Sequence, residues 1–228
     1  MLKFYFNGSP NPTKVALFLE EADLAYQPVA VDTRKGDQHK LDFLAINPNA
    51  KVPAIVDGDA VVFDSSAILL YLAEKTGKFL PAKTDKAHAE LLSWMFFVSS
   101  GVGPYSGQSV HFRNYAPEKS EYAINRYAYE AQRHFGIIND RLGKNKYMLG
   151  DTYTIVDMNI WGWARLIPNV LGEKGWEKFP NLKRLVDEIS ARPAAAKAVA
   201  LKDKHKFKTE MDEEARNAMF RHMVEKVA

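Results

Sequence analysis

At 228 residues the chain has room for one large domain or two ordinary ones, and its 46% hydrophobic and 12% aromatic content fills a core. A formal charge of +3, scattered along the chain, argues against nucleic acid as a partner. With no cysteine there are no disulfides, no thiolate metal sites and no protein thiol nucleophile, so sulfur chemistry requires a thiol brought in by a ligand. No metal is expected. The start MLKFYFNGSP lacks the apolar run of a signal peptide, and the longest apolar run, AILLYLA, is far shorter than the ~20 residues of a membrane helix. These features predict a cytoplasmic, enzyme-like protein with no membrane or nucleic-acid partner.

In chain order, residues 2–6 and 26–31 read as strands, with Pro28 marking an edge or a strand start. Between them, 14–22 reads as a buried helix, with Asn11 as its cap and Pro12 at the first helical position. That βαβ unit predicts a parallel pair. Residues 37–45 read as a short helix. Two apolar strands, 53–56 and 60–63, meet across Asp57-Gly58-Asp59, a tight antiparallel hairpin. A helix over 65–75 follows, closed by Gly77. The order βαβαββα is a small mixed sheet with helices, ending near Pro81.

Beyond Pro81 the pattern is helical: 87–100, 121–142, 181–190 and 194–201. Thr154-Ile-Val-Asp157 is an N-terminal capping box. Residues 202–214 run from basic to acidic and read as a polar extension that carries one more helix. The expected domains are 1–81, α/β, and 82–228, all-α.

Two features between Val52 and Ser65 point to a small peptide ligand. X-Pro bonds are mostly trans, so sequence alone favours a trans Val52-Pro53 bond. A cis bond would instead turn the Val52 backbone outward to pair with a peptide, strand addition on a tripeptide scale. Asp64-Ser65 opens a helix. The pair serves as a cap, or as a clamp in which Ser65 and the first N–H groups take an α-carboxylate and Asp64 takes an α-ammonium.

The stretch KVPAIVDGDAVVFDSSAILLYLAEK, preceded by SPNPTKVALFLEEA and followed by YMLGDTYTIVDM, resembles a cytosolic glutathione transferase over roughly residues 1 to 200. The resemblance implies a thioredoxin-like first domain, an all-helical second domain, glutathione bound between them, and a homodimer. SPNPTKV, DTRKGDQ, GPYSGQSVHF and YAINRY resemble the Nu-class branch and its fungal prion-type relatives, which reduce disulfides with glutathione. It further implies that Val52, beside Pro53, pairs with the cysteinyl backbone and that Asp64-Ser65 holds the γ-glutamyl end. Gln38 and Lys51 then reach the glycyl end, Asn11 lies near the sulfur, and Arg126 helps hold the ligand. The branch usually has Thr at Ser9 and often Gly at Pro12; Ser9 keeps the hydroxyl, while Pro12 removes a backbone donor.

Three groups are available to stabilise a glutathione thiolate: Tyr5, Ser9 and Asn11. Tyr5 lies within a strand, where packing is its expected role, so the catalytic assignment goes to Ser9 and Asn11 together. Tyr105, Gln108, His111, Phe112 and Trp163 are candidates for a second-substrate pocket, with core packing or a solvated surface as the alternative for each. The expected reaction is reduction of small disulfides. Conjugation to hydrophobic electrophiles, or a non-catalytic glutathione-binding regulatory role, are the alternatives.

Overall fold

The computed structural model describes residues 1–225. Strands β1 (Leu2–Phe6), β2 (Tyr26–Ala30), β3 (Ala54–Asp57) and β4 (Ala60–Phe63) form one sheet in the order β2-β1-β3-β4. β1 pairs parallel with β2 and antiparallel with β3, and β3 pairs antiparallel with β4. The parallel pair is joined through helix α1 (Pro10–Glu21), as a βαβ crossover requires. The β3–β4 hairpin turns on Gly58, whose φ of +66° fits the first central position of a type II′ turn.

The chain divides into two compact units: Met1–Tyr71 together with the chain from Ala196, and Leu72–Ala195. This differs from the division expected near Pro81, because the C-terminal extension packs onto the first unit. In β1, Leu2, Phe4 and Phe6 face inward while Lys3 is exposed, the period-two alternation of a half-buried strand. Helix α1 is buried from Pro12 to Leu19. The first unit also contains α2 (Leu41–Leu44), most of α3 (Ser65–Thr76), and α11 (Glu213–Met219).

The second unit is helical: α4 (Asp85–Phe97), α5 (Gly103–Asn114), α6 (Glu121–Leu142), α7 (Ile155–Ala164), α8 (Ile167–Leu171), α9 (Pro180–Ser190) and the start of α10 (Pro193–Ala200). α7 is buried on nearly every face, which its apolar composition demands. Asp157 accepts from the Thr154 N–H (2.9 Å) and from the Met148 N–H (2.9 Å), tying the preceding loop to this helix. Asn139 of α6 supplies the cap that α9 lacks locally, its Oδ1 accepting from the N–H groups of Asn181 (2.9 Å) and Leu182 (3.2 Å). Between α4 and α5 the chain stays helical through a π turn at Val98–Val102. Among the described residues no helix is long and apolar enough to cross a membrane.

Candidate functional site

The site is built on the first unit, from three loops. The first follows β1. Ser9, with extended backbone, is the N-cap of α1, and Pro10 and Pro12 lie in the first turn. The expected cap, Asn11, is two residues too late: it sits inside the helix, which begins at Pro10, four residues before the expected start at residue 14. The reason is Ser9's own carbonyl, which accepts from both the N–H (3.2 Å) and the hydroxyl (2.8 Å) of Thr13. Asn7 steadies the loop, its Oδ1 accepting the Ser9 N–H at 2.9 Å and its Nδ2 donating to Thr33 at 3.2 Å. Among the described residues Ser9's hydroxyl makes no capping bond to α1. Tyr5 packs its ring 5.8 Å from Phe43, against the cluster of Val31, Phe43 and Ala54.

The second loop, 47–53, carries Lys51 and Val52. Val52-Pro53 is cis, against the trans bond that base rates favour. Val52 joins Tyr5 and Ile46 on the same small apolar cluster. The loop's shape comes from Asn47, which is almost wholly buried. Its Nδ2 donates to the Lys51 carbonyl (2.6 Å) and its Oδ1 accepts from the Asn49 N–H (3.0 Å), with Ala50 turned to φ +53° between them. Asn47 was not singled out in the sequence. An Asn-Pro-Asn turn before an X-Pro step was the available signal.

The third loop is Asp64-Ser65. Asp64 takes φ +69°, a left-handed conformation that Asp tolerates better than most residues. Its Oδ1 accepts from the N–H groups of Ser66 (2.8 Å) and Ala67 (3.1 Å), so it caps α3. Asp64 nevertheless stays exposed, while Ser65 is buried at the first helical position. Capping therefore leaves the carboxylate within reach of a ligand. Beneath it lies a group that sequence reasoning missed. Lys14 of α1 is 2% exposed; burial pushes its ammonium down to about 7, and the opposite charge of Asp64 works against that fall.

Gln38 is also buried, in a 3₁₀ turn at Asp37–His39. Its Nε2 donates to the carbonyls of Thr33 (3.2 Å) and Ala218 (2.9 Å). Arg126 belongs to the second unit. It lies on α6, about half exposed, in an ion pair with Glu130, which also accepts from Arg133 Nε at 2.9 Å.

The five candidates for a second pocket fall into two sets. Tyr105 lies 5.0 Å from the His134 ring and 6.4 Å from Tyr127, and Phe112 stacks on Tyr127 at 5.2 Å. Gln108 is exposed near this face, and His111 meets Phe112 edge-on at 5.1 Å. Trp163 instead packs against Gly103 and Gly107. At about 100° per residue those glycines lie on the far side of α5 from Tyr105 and Phe112. Among the described residues no cluster of His, Asp and Glu is arranged to hold a metal ion.

Comparison with known proteins agrees with this architecture. Residues 1–74 match the model of the glutathione S-transferase N-terminal domain, and residues 94–193 that of the C-terminal domain. The chain is 40% identical over 213 residues to disulfide-bond oxidoreductase YfcG of Escherichia coli, covering 87% of this chain and 94% of that protein. A glutathione transferase family member from Pseudomonas fluorescens, solved with two glutathione bound, superposes with a TM-score of 0.82 at 32% identity. That match covers 87% of this chain and 92% of the other. The glutathione transferase URE2P6 from Phanerochaete chrysosporium, in complex with oxidized glutathione, gives a TM-score of 0.82 at 32% identity, covering 89% and 96%.

Proposed function

The chain belongs to the glutathione S-transferase family, and on that premise we propose that it uses glutathione to reduce small disulfides. The observation that carries this reading is Ser9. It stands at the N-terminus of α1, and its hydroxyl is not spent on capping that helix. A chain without cysteine can run this chemistry only on a ligand's sulfur, and the glutathione thiol is that sulfur. The similarity to a protein named a disulfide-bond oxidoreductase supports the same choice of reaction.

A thiol of this kind has a pKa near ~8.5, so about a few per cent is thiolate at pH 7. Lowering it by one unit takes about 1.4 kcal/mol. A hydrogen bond to a charged acceptor contributes roughly 1.5–3 kcal/mol. One donor is sufficient, and Ser9, aided by Asn11, is assigned that role. Asp64 takes the ligand's α-ammonium, Ser65 and the start of α3 its α-carboxylate, and Val52 its cysteinyl backbone. Lys51 and Gln38 serve the glycyl end, and Arg126 adds a cation. The bound thiolate attacks one sulfur of the disulfide, forming a mixed disulfide and expelling the other half as a thiolate, which takes a proton. A second glutathione thiolate attacks the mixed disulfide at the glutathione sulfur. Glutathione disulfide leaves, and the second thiol is released after protonation. Two glutathiones are oxidised and one disulfide is reduced to two thiols.

The family's dimer belongs to the same proposal, as does a cytoplasmic setting. Val61 and Phe63 on the edge strand β4 stay exposed in the single chain, which supports a second copy covering them. The deciding experiment offers purified protein and glutathione either a small disulfide or an aryl halide. Disulfide turnover is expected to dominate and to fall at least tenfold in the Ser9→Ala/Asn11→Ala double variant, while glutathione still binds. Turnover of the halide alone would make the chain a conjugating enzyme, and turnover of neither would make it a binding protein.

A further inference from the structure

Within the first unit, the chain after Lys206 docks on the turn that carries Gln38. Asp32, itself buried, accepts the Lys208 N–H at 2.6 Å, and Arg34 Nη1 donates to the carbonyls of Lys208 (2.8 Å) and Thr209 (3.0 Å). Helix α11 then seats Ala215 with no exposed surface and brings the Ala218 side chain 3.7 Å from where a Cβ on Gly36 would lie. The Ala218 carbonyl lies in the last turn of α11, where it has no partner within the helix. It accepts from Gln38 Nε2 at 2.9 Å and lies 3.0 Å from His39 Nε2.

This docking consumes Gln38. Its Nε2 lies within hydrogen-bond distance of the carbonyls of Ala218 and Thr33 and of His39 Nε2 (3.2 Å), more acceptors than it has hydrogens, and its Oε1 is buried without a hydrogen-bond partner among the described residues. An unpaired buried acceptor weighs against the docked arrangement. A carboxylate would bond the same amide more strongly than a peptide carbonyl does. We propose that α11 is a displaceable latch, with the Ala218 carbonyl occupying the Gln38 amide that the glycyl carboxylate of glutathione would take. This rests on the glutathione reading above. Lys208 Nζ pairs with Asp212 (2.9 Å) and Glu214 (2.8 Å), tying the start of α11 to the anchor, so release is local and frees the Ala218 end of the helix.

Competition of this kind is a linkage: glutathione and the docked helix weaken each other by the same factor. γ-Glutamylcysteine, which lacks the glycine, does not compete. Calorimetry on the full-length chain with both ligands therefore tests the proposal, using Ala215→Glu to undock α11. The variant is expected to bind glutathione several-fold tighter and γ-glutamylcysteine unchanged. Hydrogen exchange on the wild-type chain gives a second readout that needs no variant. Glutathione should speed exchange in residues 215–219, and γ-glutamylcysteine should not. An unchanged ratio of the two affinities, or exchange slowed by glutathione, overturns the latch alone. Failure of the wild-type chain to bind either ligand overturns the glutathione reading and the latch with it.

Discussion

Lys14 offers a quantitative test of the first unit's electrostatics. Its ammonium is held at about 7, against 10.5 in the unfolded chain, chiefly by burial. The folded chain therefore holds fewer protons on this group than the unfolded chain between those two values. Stability rises with pH across that window. Below pH 7 both states are protonated, and the folded state carries the full cost of a buried charge. That cost is on the order of 3–5 kcal/mol, from ~1.36 kcal/mol per unit of pKa. Lys14→Met keeps an unbranched side chain of similar length and removes the titration. Between pH 7 and pH 9 the wild-type chain should gain about 2–3 kcal/mol relative to the variant. Urea unfolding followed by far-ultraviolet circular dichroism at pH 7, 8 and 9 measures this difference directly. Parallel stability curves for the two chains would refute the assignment, and would mean that the ammonium reaches water or is fully compensated by Asp64.

Asp64→Asn retains a cap and tolerates the left-handed backbone, so stability should change little, while glutathione affinity by calorimetry should fall about tenfold on loss of a charge-assisted contact. Equal affinity would remove Asp64 from the γ-glutamyl clamp. Asn47→Ala breaks the 2.6 Å bond to the Lys51 carbonyl and should cost about 1–3 kcal/mol in denaturant unfolding, with a loss of glutathione affinity that Asn47→Asp does not fully restore. Two glycines give opposite signs. A Cβ on Gly101 would lie 2.4 Å from His134 Nε2, so Gly101→Ala should destabilise by roughly 1–3 kcal/mol. Gly136, in mid α6 with open space around it, should stabilise by up to about 1 kcal/mol on change to Ala. Thermal melts of the pair that moved in the same direction would contradict this packing.

These positions separate what local sequence encodes from what only the fold supplies. The β3–β4 hairpin and the Asp64-Ser65 helix start were legible because a glycine turn and an acid-serine cap act on their immediate neighbours. The long helix Glu121–Leu142 was legible because its apolar positions recur at helical spacing. α5 was not among the helices bounded in the sequence, since the glycines and proline of GPYSGQS disfavour one. Gly101, in the π turn just before α5, leaves room for the His134 ring, and Gly103 and Gly107 of α5 face Trp163 at van der Waals distance. No local rule connects residues that far apart. Lys14 was hidden for the same reason: inside an apolar run a lysine looks like a helix's solvated edge, and only Asp64, fifty residues later, gives it a charge to face. The Val52-Pro53 isomer and the Asn47 brace also depend on packing that the sequence does not display. The docking of the C-terminal extension is the extreme case. Gln38 looked available for a ligand until Ala218, 180 residues away, was found holding its amide. A binding residue read from a motif is therefore a statement about donor type; whether the donor is free depends on contacts that a local motif does not encode.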